Sequence, residues 1–292
     1  MLTTVEQALG WVHQHFDSAD LFYGHGTDNP WDEACFLVLT VAELPVDADE
    51  SVLSHPLTED QSQRIQTVTE QRIATRNPLP YLLNEAWFAG MKFYVDERVL
   101  VPRSPLAEVI ANQCQPWCQP EKVTRILDLC TGSGCIAIAL AKAFPHAQVD
   151  ATDLSADALA VAEKNRHLHG VQDQLTLYQA DVFGGLPQQH YDLIVSNPPY
   201  VDAEDFAAMP AEYQQEPEMG LASGADGLDV TRRILAQAKS YLSEQGVLIV
   251  EVGNSWPALE AAYPQLPFTW LEFAHGGDGV FLLTQDALWH SG

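Results

Sequence analysis

The chain is short of positive charge. Nine Arg and five Lys stand against 40 Asp and Glu in 292 residues, a formal net charge of −26. A surface of that sign is a poor match for nucleic acid, which rewards Lys and Arg contacts to phosphate. It suits a strongly basic protein partner reached by electrostatic steering, and equally a chain kept soluble, or adapted to a salty medium, by surface acid. No run of eighteen apolar residues occurs, so no membrane-spanning helix is expected. The opening stretch, residues 1–6, has no basic region and no long apolar segment; no secretory signal is read, and the expected location is cytoplasmic. Cysteine is also scarce. Five, an odd number in a chain with no export signal, are read as free thiols. Cys114 and Cys118 are spaced CxxxC, but no second cysteine or histidine pair completes a zinc set and there is no HExxH, so no metal is expected.

Hydrophobic residues make up 47% of the chain, enough for one large α/β domain and a smaller one. Residues 4–80 carry helical spacing without clear strands. Val5, Leu9, Val12 and Phe16 recur at three or four, Pro30 opens a helix after Asp28-Asn29, and Thr58 is a cap for a helix running through Arg72. The stretch 86–103 alternates around Gly90 and Asp96-Glu97 and reads as a β-hairpin. From about 122 strands alternate with helices. The strand patterns fall at 125–130, 148–153, 174–181, 191–197, 246–252, 268–273 and 279–284, with helices at 133–144, 155–169 and 227–243. Such alternation implies a mostly parallel sheet covered on both faces. The last two strands are too close for a crossover and should pair antiparallel.

Two segments at strand ends carry chemistry. The strand at 125–130 runs into Thr131-Gly132-Ser133-Gly134-Cys135 and then into a small, apolar, helix-prone run. Strand, glycine loop and helix open a nucleotide-binding unit, and the next strand ends on Asp153, placed to accept hydrogen bonds from ribose hydroxyls. Gly132, Gly134 and Ala137 also satisfy the loose dinucleotide fingerprint, so an NAD enzyme is an alternative. Asp128 argues against it, because a carboxylate before the loop repels a pyrophosphate and welcomes an ammonium or a sulfonium. The second segment, Asn197-Pro198-Pro199-Tyr200, follows the strand Tyr191-Asp192-Leu193-Ile194-Val195-Ser196. Each residue before a proline is held extended, and Pro198 offers a carbonyl but no N–H. The Asn197 side-chain oxygen and the Pro198 carbonyl are two acceptors in a stiff frame, suited to the two hydrogens of a planar –NH2 group that Tyr200 covers. A plain turn after a strand is the alternative reading of this tetrapeptide.

Asp128-Leu129-Cys130-Thr131-Gly132-Ser133-Gly134 resembles the S-adenosylmethionine loop of class I methyltransferases. Asn197-Pro198-Pro199-Tyr200 resembles the signature of their amino-methylating branch, which acts on adenine, cytosine or glutamine side-chain nitrogens. Three further segments are similar to those of the protein-glutamine N(5)-methyltransferases: Phe88 to Val95, Val99 to Arg103, and Glu216-Pro217 with Gly224-Ala225-Asp226-Gly227-Leu228. The release-factor branch of that family usually follows its Pro-Arg with Pro-Glu-Thr-Glu. Here Ser104-Pro105-Leu106-Ala107 follows instead, and Phe22 to Ala34 stands near the start. Both features look like the branch that methylates large-subunit ribosomal protein L-three.

The resemblance implies an α/β class I S-adenosylmethionine-dependent fold: a mostly parallel seven-stranded sheet with helices on both faces. It adds a small N-terminal helical substrate-recognition domain (1–85), a linking β-hairpin (86–104) and a catalytic domain (105–292). It implies S-adenosyl-L-methionine as cofactor, with Asp128, Thr131, Gly132, Ser133, Gly134, Cys135, Asp153, Leu154, Asp181, Val182 and Asn197 around it. Asp181 would accept the adenine amine, and Phe183 or Leu154 would pack its ring. Asn197, Pro198 and Tyr200 would be catalytic, and Asn197, Pro198, Pro199 and Tyr200 would hold the substrate, a basic ribosomal protein. Release factors as substrate, N(6)-adenine methylation of nucleic acid, and a non-catalytic assembly factor with a vestigial fold remain as alternatives.

Overall fold

The computed structural model of the protein describes residues 2–274 and 276–288; the last four residues of the expected catalytic domain lie outside them. The chain divides into two compact units. One comprises residues 1–86 together with 95–97 and 210–215; the other comprises 87–94, 98–209 and 216–292.

In the smaller unit, helix α1 (Val5–Ser18) starts on Thr4, whose side chain accepts the Gln7 N–H, and buries Val5, Ala8, Leu9, Val12 and Phe16 along one stripe. Helix α2 (Pro30–Val41) starts on Asn29 with Pro30 in its first turn, where the missing N–H costs nothing. Helix α3 (Glu59–Thr75) begins with a reciprocal Thr58–Gln61 capping box and stops at Arg76, whose φ of 60° is left-handed. Helix α4 (Leu79–Leu83) completes this core, in which Val5, Val12, Phe16, Leu37, Val38 and Ile65 are fully buried.

A short hairpin follows, β1 (Ala86–Phe88) and β2 (Met91–Phe93), turned at Ala89-Gly90 and counted with the larger unit from Trp87 on. The sequence pattern carried this hairpin on to residue 103, and there the structure differs. Val99 and Val101 are buried, yet they lie in no strand. The Val101 N–H goes to the Glu216 carboxylate at 2.9 Å instead of to a sheet neighbour. Alternation in the sequence reported burial correctly, but pairing requires a partner strand that the chain does not supply.

Then come α5 (Leu106–Ala111), β3 (Arg125–Leu129), α6 (Cys135–Ala143), β4 (Gln148–Asp153), α7 (Ala156–Leu168), β5 (Leu175–Gln179), β6 (Tyr191–Ser196), α8 (Ala203–Ala208), α9 (Glu218–Leu221), α10 (Asp229–Ala238), β7 (Leu242–Glu251), α11 (Trp256–Ala262), β8 (Thr269–Trp270) and β9 (Val280–Thr284). The short helices α5, α8, α9 and α11 span too few turns to leave a periodic signal and were not foreseen. The seven strands line up in the order β5-β4-β3-β6-β7-β9-β8. All neighbours are parallel except β9, which runs antiparallel to both β7 and β8. The expected mostly parallel sheet with one reversed strand is therefore present.

Strand periodicity sorts the core into two layers. Ile126, Val149, Ala151, Leu193, Val195, Val247 and Ile249 pack with α6 on one face; Leu127, Leu129, Ile194, Leu248 and Val250 pack with α10 and α11 on the other. The same period-two rule puts Asp128, Asp153 and Glu251 on the α6 face, each beyond the last apolar residue that its strand presents there. Phe183 belongs to the opposite core. It is 1% exposed and stacked on Tyr241 at 4.5 Å, so it is not placed to pack a ligand ring.

The smaller unit also holds a buried charge cluster. Arg72 Nε donates to Glu33 at 2.6 Å, and its Nη2 donates to the Phe22 carbonyl at 2.9 Å. Glu212, from the returning segment 210–215, accepts from Arg72 at 3.4 Å, from Arg76 at 3.3 Å and from the Phe22 N–H at 3.0 Å. Burial raises the Glu33 carboxyl pKa while Arg72 pulls it down. Removing one partner of such a set strands the others in low dielectric. Arg72→Met should destabilise the protein by about 3–5 kcal/mol, read from denaturant unfolding; an unchanged midpoint would show that the cluster is solvated.

Candidate active site

The strand order reverses between β3 and β6, and in open α/β sheets ligands bind beyond the carboxyl ends of the strands at that switch point. Leu129, the last residue of β3, pairs with Ser196, the last residue of β6. Ser196 Oγ donates to the Leu129 carbonyl at 2.9 Å and pins the two tips together. The first residues past them are Cys130, which opens the glycine loop, and Asn197, which opens Asn197-Pro198-Pro199-Tyr200.

The loop turns sharply. Cys130, Gly132 and Gly134 all have positive φ, at 60°, 55° and 80°. At Gly134 a Cβ would lie 3.2 Å from the Ala162 Cβ of α7, so both the conformation and the close approach call for glycine. Asp128 is fully buried beneath the turn. Its Oδ2 accepts from Thr131 Oγ1 at 2.5 Å and from the Ala137 N–H at 3.1 Å. Ala137 lies in the first turn of α6, where N–H groups have no helical acceptor, and the Gly134 cap has no side chain to offer one. Asp128 therefore fastens strand, loop and helix. Its Oδ1 is buried with no hydrogen-bond partner among the described residues. Burial pushes this carboxyl up to about 7; the bonds from Thr131 and Ala137 lower it, and Asp153 adds repulsion.

Asp153 also serves the loop. Its Oδ2 accepts the Gly132 N–H at 2.8 Å and its Oδ1 the Ser155 N–H at 2.9 Å. Each oxygen keeps a second lone pair for a ligand hydroxyl. Burial raises its pKa against those backbone bonds. Thr131 and Ser133 are buried within the loop, and Leu154 is 52% exposed beside Asp153. Burial pushes the Cys135 thiol up to about 12 and raises Cys130 as well, which favours the protonated thiol in both.

Asp181 departs from the expectation that it ends a strand. β5 stops at Gln179, and Asp181 stands in a turn that its own carbonyl closes by accepting the Gly184 N–H at 2.9 Å. Its carboxylate is paired with Arg233 at 2.7 Å. Val182, at φ 58°, is buried, and its carbonyl accepts from Thr152 Oγ1 at 3.4 Å.

Around the tetrapeptide, Asn197 and Pro199 are half-buried and Pro198 is buried. Tyr200 is held at three points. Its hydroxyl donates to Glu251 at 3.0 Å, its carbonyl accepts from Ser255 Oγ at 2.8 Å, and its ring lies on Gly253, where a Cβ would come within 2.5 Å of Cε2. A Cβ on Gly227 would overlap the Tyr200 carbonyl, which explains a glycine in that segment. Arg103 grips Glu216 with two bonds of 2.7 and 2.6 Å, so two separate sequence motifs meet in one ion pair.

Several of these residues escaped the sequence reading. Ser196 and Glu251 left a usable signal, since each ends a readable strand, whereas Ser255 lies in a short turn beyond β7 and left none. Asn165 left none either. It is fully buried on α7, accepts the Tyr94 N–H at 2.8 Å, and donates to the Tyr94 and Ser133 carbonyls, each at 2.9 Å. One carboxamide thus joins the end of the hairpin segment to the glycine loop.

Sheet order, glycine loop and the tetrapeptide at the switch point together define a class I methyltransferase. The Methyltransferase small domain family matches residues 114–212, the span that contains both loops. A ribosomal protein uL3 glutamine methyltransferase of Francisella tularensis is 47% identical over 288 residues, covering 98% of this chain and 92% of that protein. One of Neisseria gonorrhoeae is 50% identical over 289 residues, covering 98% and 96%. The chain belongs to this family of ribosomal protein uL3 glutamine methyltransferases. Among solved structures, the catalytic domain of hMettl16, crystallised with a MAT2A 3′UTR hairpin, shares the fold with a TM-score of 0.52 at 16% identity, over 78% of this chain and 82% of that one.

Asn165→Ala would leave one N–H and two carbonyls without their side-chain partner. A loss of about 2 kcal/mol or more in unfolding free energy is expected, with faster amide exchange at Tyr94. An unchanged exchange rate would show that water replaces the carboxamide.

Proposed function

We propose that this protein transfers a methyl group from S-adenosylmethionine to the side-chain amide nitrogen of a glutamine in ribosomal protein uL3. What carries the reading is the adjacency, across the β3/β6 switch point, of a glycine loop backed by a buried carboxylate and a stiff Asn-Pro-Pro-Tyr acceptor. The names of the close relatives support the substrate.

The residues present fit the cofactor. Asp128 Oδ1 faces no protein donor and suits a cationic group, Asp153 has lone pairs to spare for ribose hydroxyls, and exposed Leu154 offers an apolar edge. Asp181 and Val182 lie at the same sheet edge; an adenine amine would have to share Asp181 with Arg233. When bound, S-adenosylmethionine supplies an electrophilic methyl on a positively charged sulfur.

The chain's own residues have to make an amide nitrogen reactive. That nitrogen shares its lone pair with the carbonyl, the resonance behind a rotation barrier of about 18–20 kcal/mol. The Asn197 oxygen and the Pro198 carbonyl accept the two amide hydrogens, draw density toward nitrogen and stabilise the positive charge that develops there. Pro199 keeps Pro198 extended, and Tyr200, fixed by Glu251, Ser255 and Gly253, covers the amide plane and orients the lone pair.

The smaller unit suits recognition of a basic substrate. Residues 1–86 hold fourteen Asp and Glu against three Arg and no Lys. Two of those arginines, Arg72 and Arg76, are already committed to carboxylates. Among the described residues no helix is long and apolar enough to cross a membrane, and a ribosomal substrate points to the cytoplasm.

Mass spectrometry of purified uL3 and of purified release factors after incubation with enzyme and cofactor tests the assignment. Methylated glutamine is expected in uL3 alone, and an unmodified uL3 beside a modified release factor would reassign the substrate. Asn197→Ala should lower turnover about a hundredfold or more while calorimetry shows cofactor affinity retained; full turnover would remove Asn197 from the chemistry. Asp128 makes cofactor affinity depend on pH. A bound cation favours the ionised carboxylate, so affinity should rise through pH 7 and level off above it, changing by at most about tenfold per unit below. A flat profile between pH 6 and 8 would mean that Asp128 does not meet the cation.

A further inference from the structure

Glu251 is a buried carboxylate that the reaction as described does not use. It ends β7, one residue past the Ser196–Val250 pair, and so stands at the sheet edge beside the start of the Asn-Pro-Pro-Tyr element. It is 4% exposed. A carboxylate in such a place carries a desolvation cost that an apolar side chain would not, so its retention asks for a reason. Both oxygens are in use. Oε2 accepts from Ser104 Oγ at 2.5 Å and Oε1 accepts from the Tyr200 hydroxyl at 3.0 Å. Arg103, whose charge lowers the Glu251 pKa, is itself gripped bidentately by Glu216. Glu251 therefore works chiefly as a double acceptor whose two donors come from chain segments about a hundred residues apart.

One of those donors is the aromatic ring expected to cover the substrate amide. The carbonyl contact from Ser255 fixes the Tyr200 backbone, and Gly253 bounds one side of the ring. Neither holds the far end of the ring. The hydroxyl bond to Glu251 does, and so fixes the direction of the ring's long axis. The other donor, Ser104, follows Arg103, whose pairing with Glu216 holds the segment 101–104 in place. Glu251 is thus anchored on one oxygen and steers with the other.

We propose that Glu251 is a positioning residue of the methyl-transfer reaction, acting through the Tyr200 hydroxyl to set the ring that orients the substrate amide. This role rests on the glutamine-methylating reading above. Misplacement of a reacting group by a fraction of an ångström is enough to lower a rate without loosening binding.

Glu251→Gln keeps the volume but leaves one acceptor oxygen for two donors, and Tyr200→Phe removes the hydroxyl alone. Both variants and the double variant would be compared with wild type for kcat and KM on purified uL3, for cofactor affinity by calorimetry, and for Tm. Each single change should lower kcat about tenfold or more, with cofactor affinity and KM within about twofold of wild type and Tm little changed. The double variant should be no slower than the slower single one, because both act through one contact. A Glu251→Gln enzyme at wild-type kcat, or single effects that multiply in the double variant, overturns the role. So does a kcat loss accompanied by a matching loss of cofactor binding and Tm, which assigns Glu251 to folding alone. A wild-type enzyme that leaves uL3 unmethylated defeats the functional reading itself and this role with it, whereas an active wild type beside an unaffected Glu251→Gln variant defeats only the role.

Discussion

Asp128 Oδ2 accepts two hydrogen bonds, from Thr131 Oγ1 and from the Ala137 N–H, and through them strand β3, the glycine loop and helix α6 become one rigid turn. Everything at the sheet edge is referenced to that turn. The loop can carry positive φ at Cys130, Gly132 and Gly134 because its two ends are fixed. Asp153 can reach the Gly132 N–H because the loop stands beside β4, and Ser196 can reach Leu129 because β3 ends where β6 ends. The same carboxylate keeps one oxygen unspent. The structural duty thus falls on one oxygen, and the other is free for the cationic group proposed above.

The proposed amide clamp is supported differently. Its stiffness is partly covalent, from two consecutive prolines, and partly borrowed from glycines that let the backbone come close. Gly253 under the Tyr200 ring and Gly227 against the Tyr200 carbonyl leave no space for a methyl group. Polar atoms then finish what packing begins: Ser255 on the carbonyl, Glu251 on the hydroxyl. The candidate site thus lies just past the strand ends, in segments that two prolines and close packing stiffen, as a reaction that depends on orientation requires.

Fold class was legible because strand alternation and the breaks after each strand are local signals. Residues 125–129, 148–153 and 191–196 fell within a residue or so of the expected strands. Boundaries failed where the deciding partner was remote. Residues 99–101 alternate like a strand, but the carboxylate of Glu216 takes the Val101 N–H. Residues 210–215 belong with the smaller unit because Glu212 meets Arg72 and Arg76, a pairing that no local pattern announces. Phe183 follows Asp181 closely in sequence, yet it turns into the core beneath the opposite face.

The sequence by itself pointed to the kind of chemistry, through a family resemblance carried by a carboxylate before a glycine loop and an asparagine before two prolines, motifs that are local because the conformations of glycine and proline are intrinsic to the residues. It also determined which face of each strand would be apolar, because a period of two follows from the backbone alone. Only the tertiary structure decided which polar groups meet: Ser104 with Glu251 across 147 residues, Asn165 with Tyr94 across 71, Arg103 with Glu216 across 113. A hydrogen bond depends on where two atoms stand in space, and for residues so far apart that is set by the packing of the whole sheet and its helices.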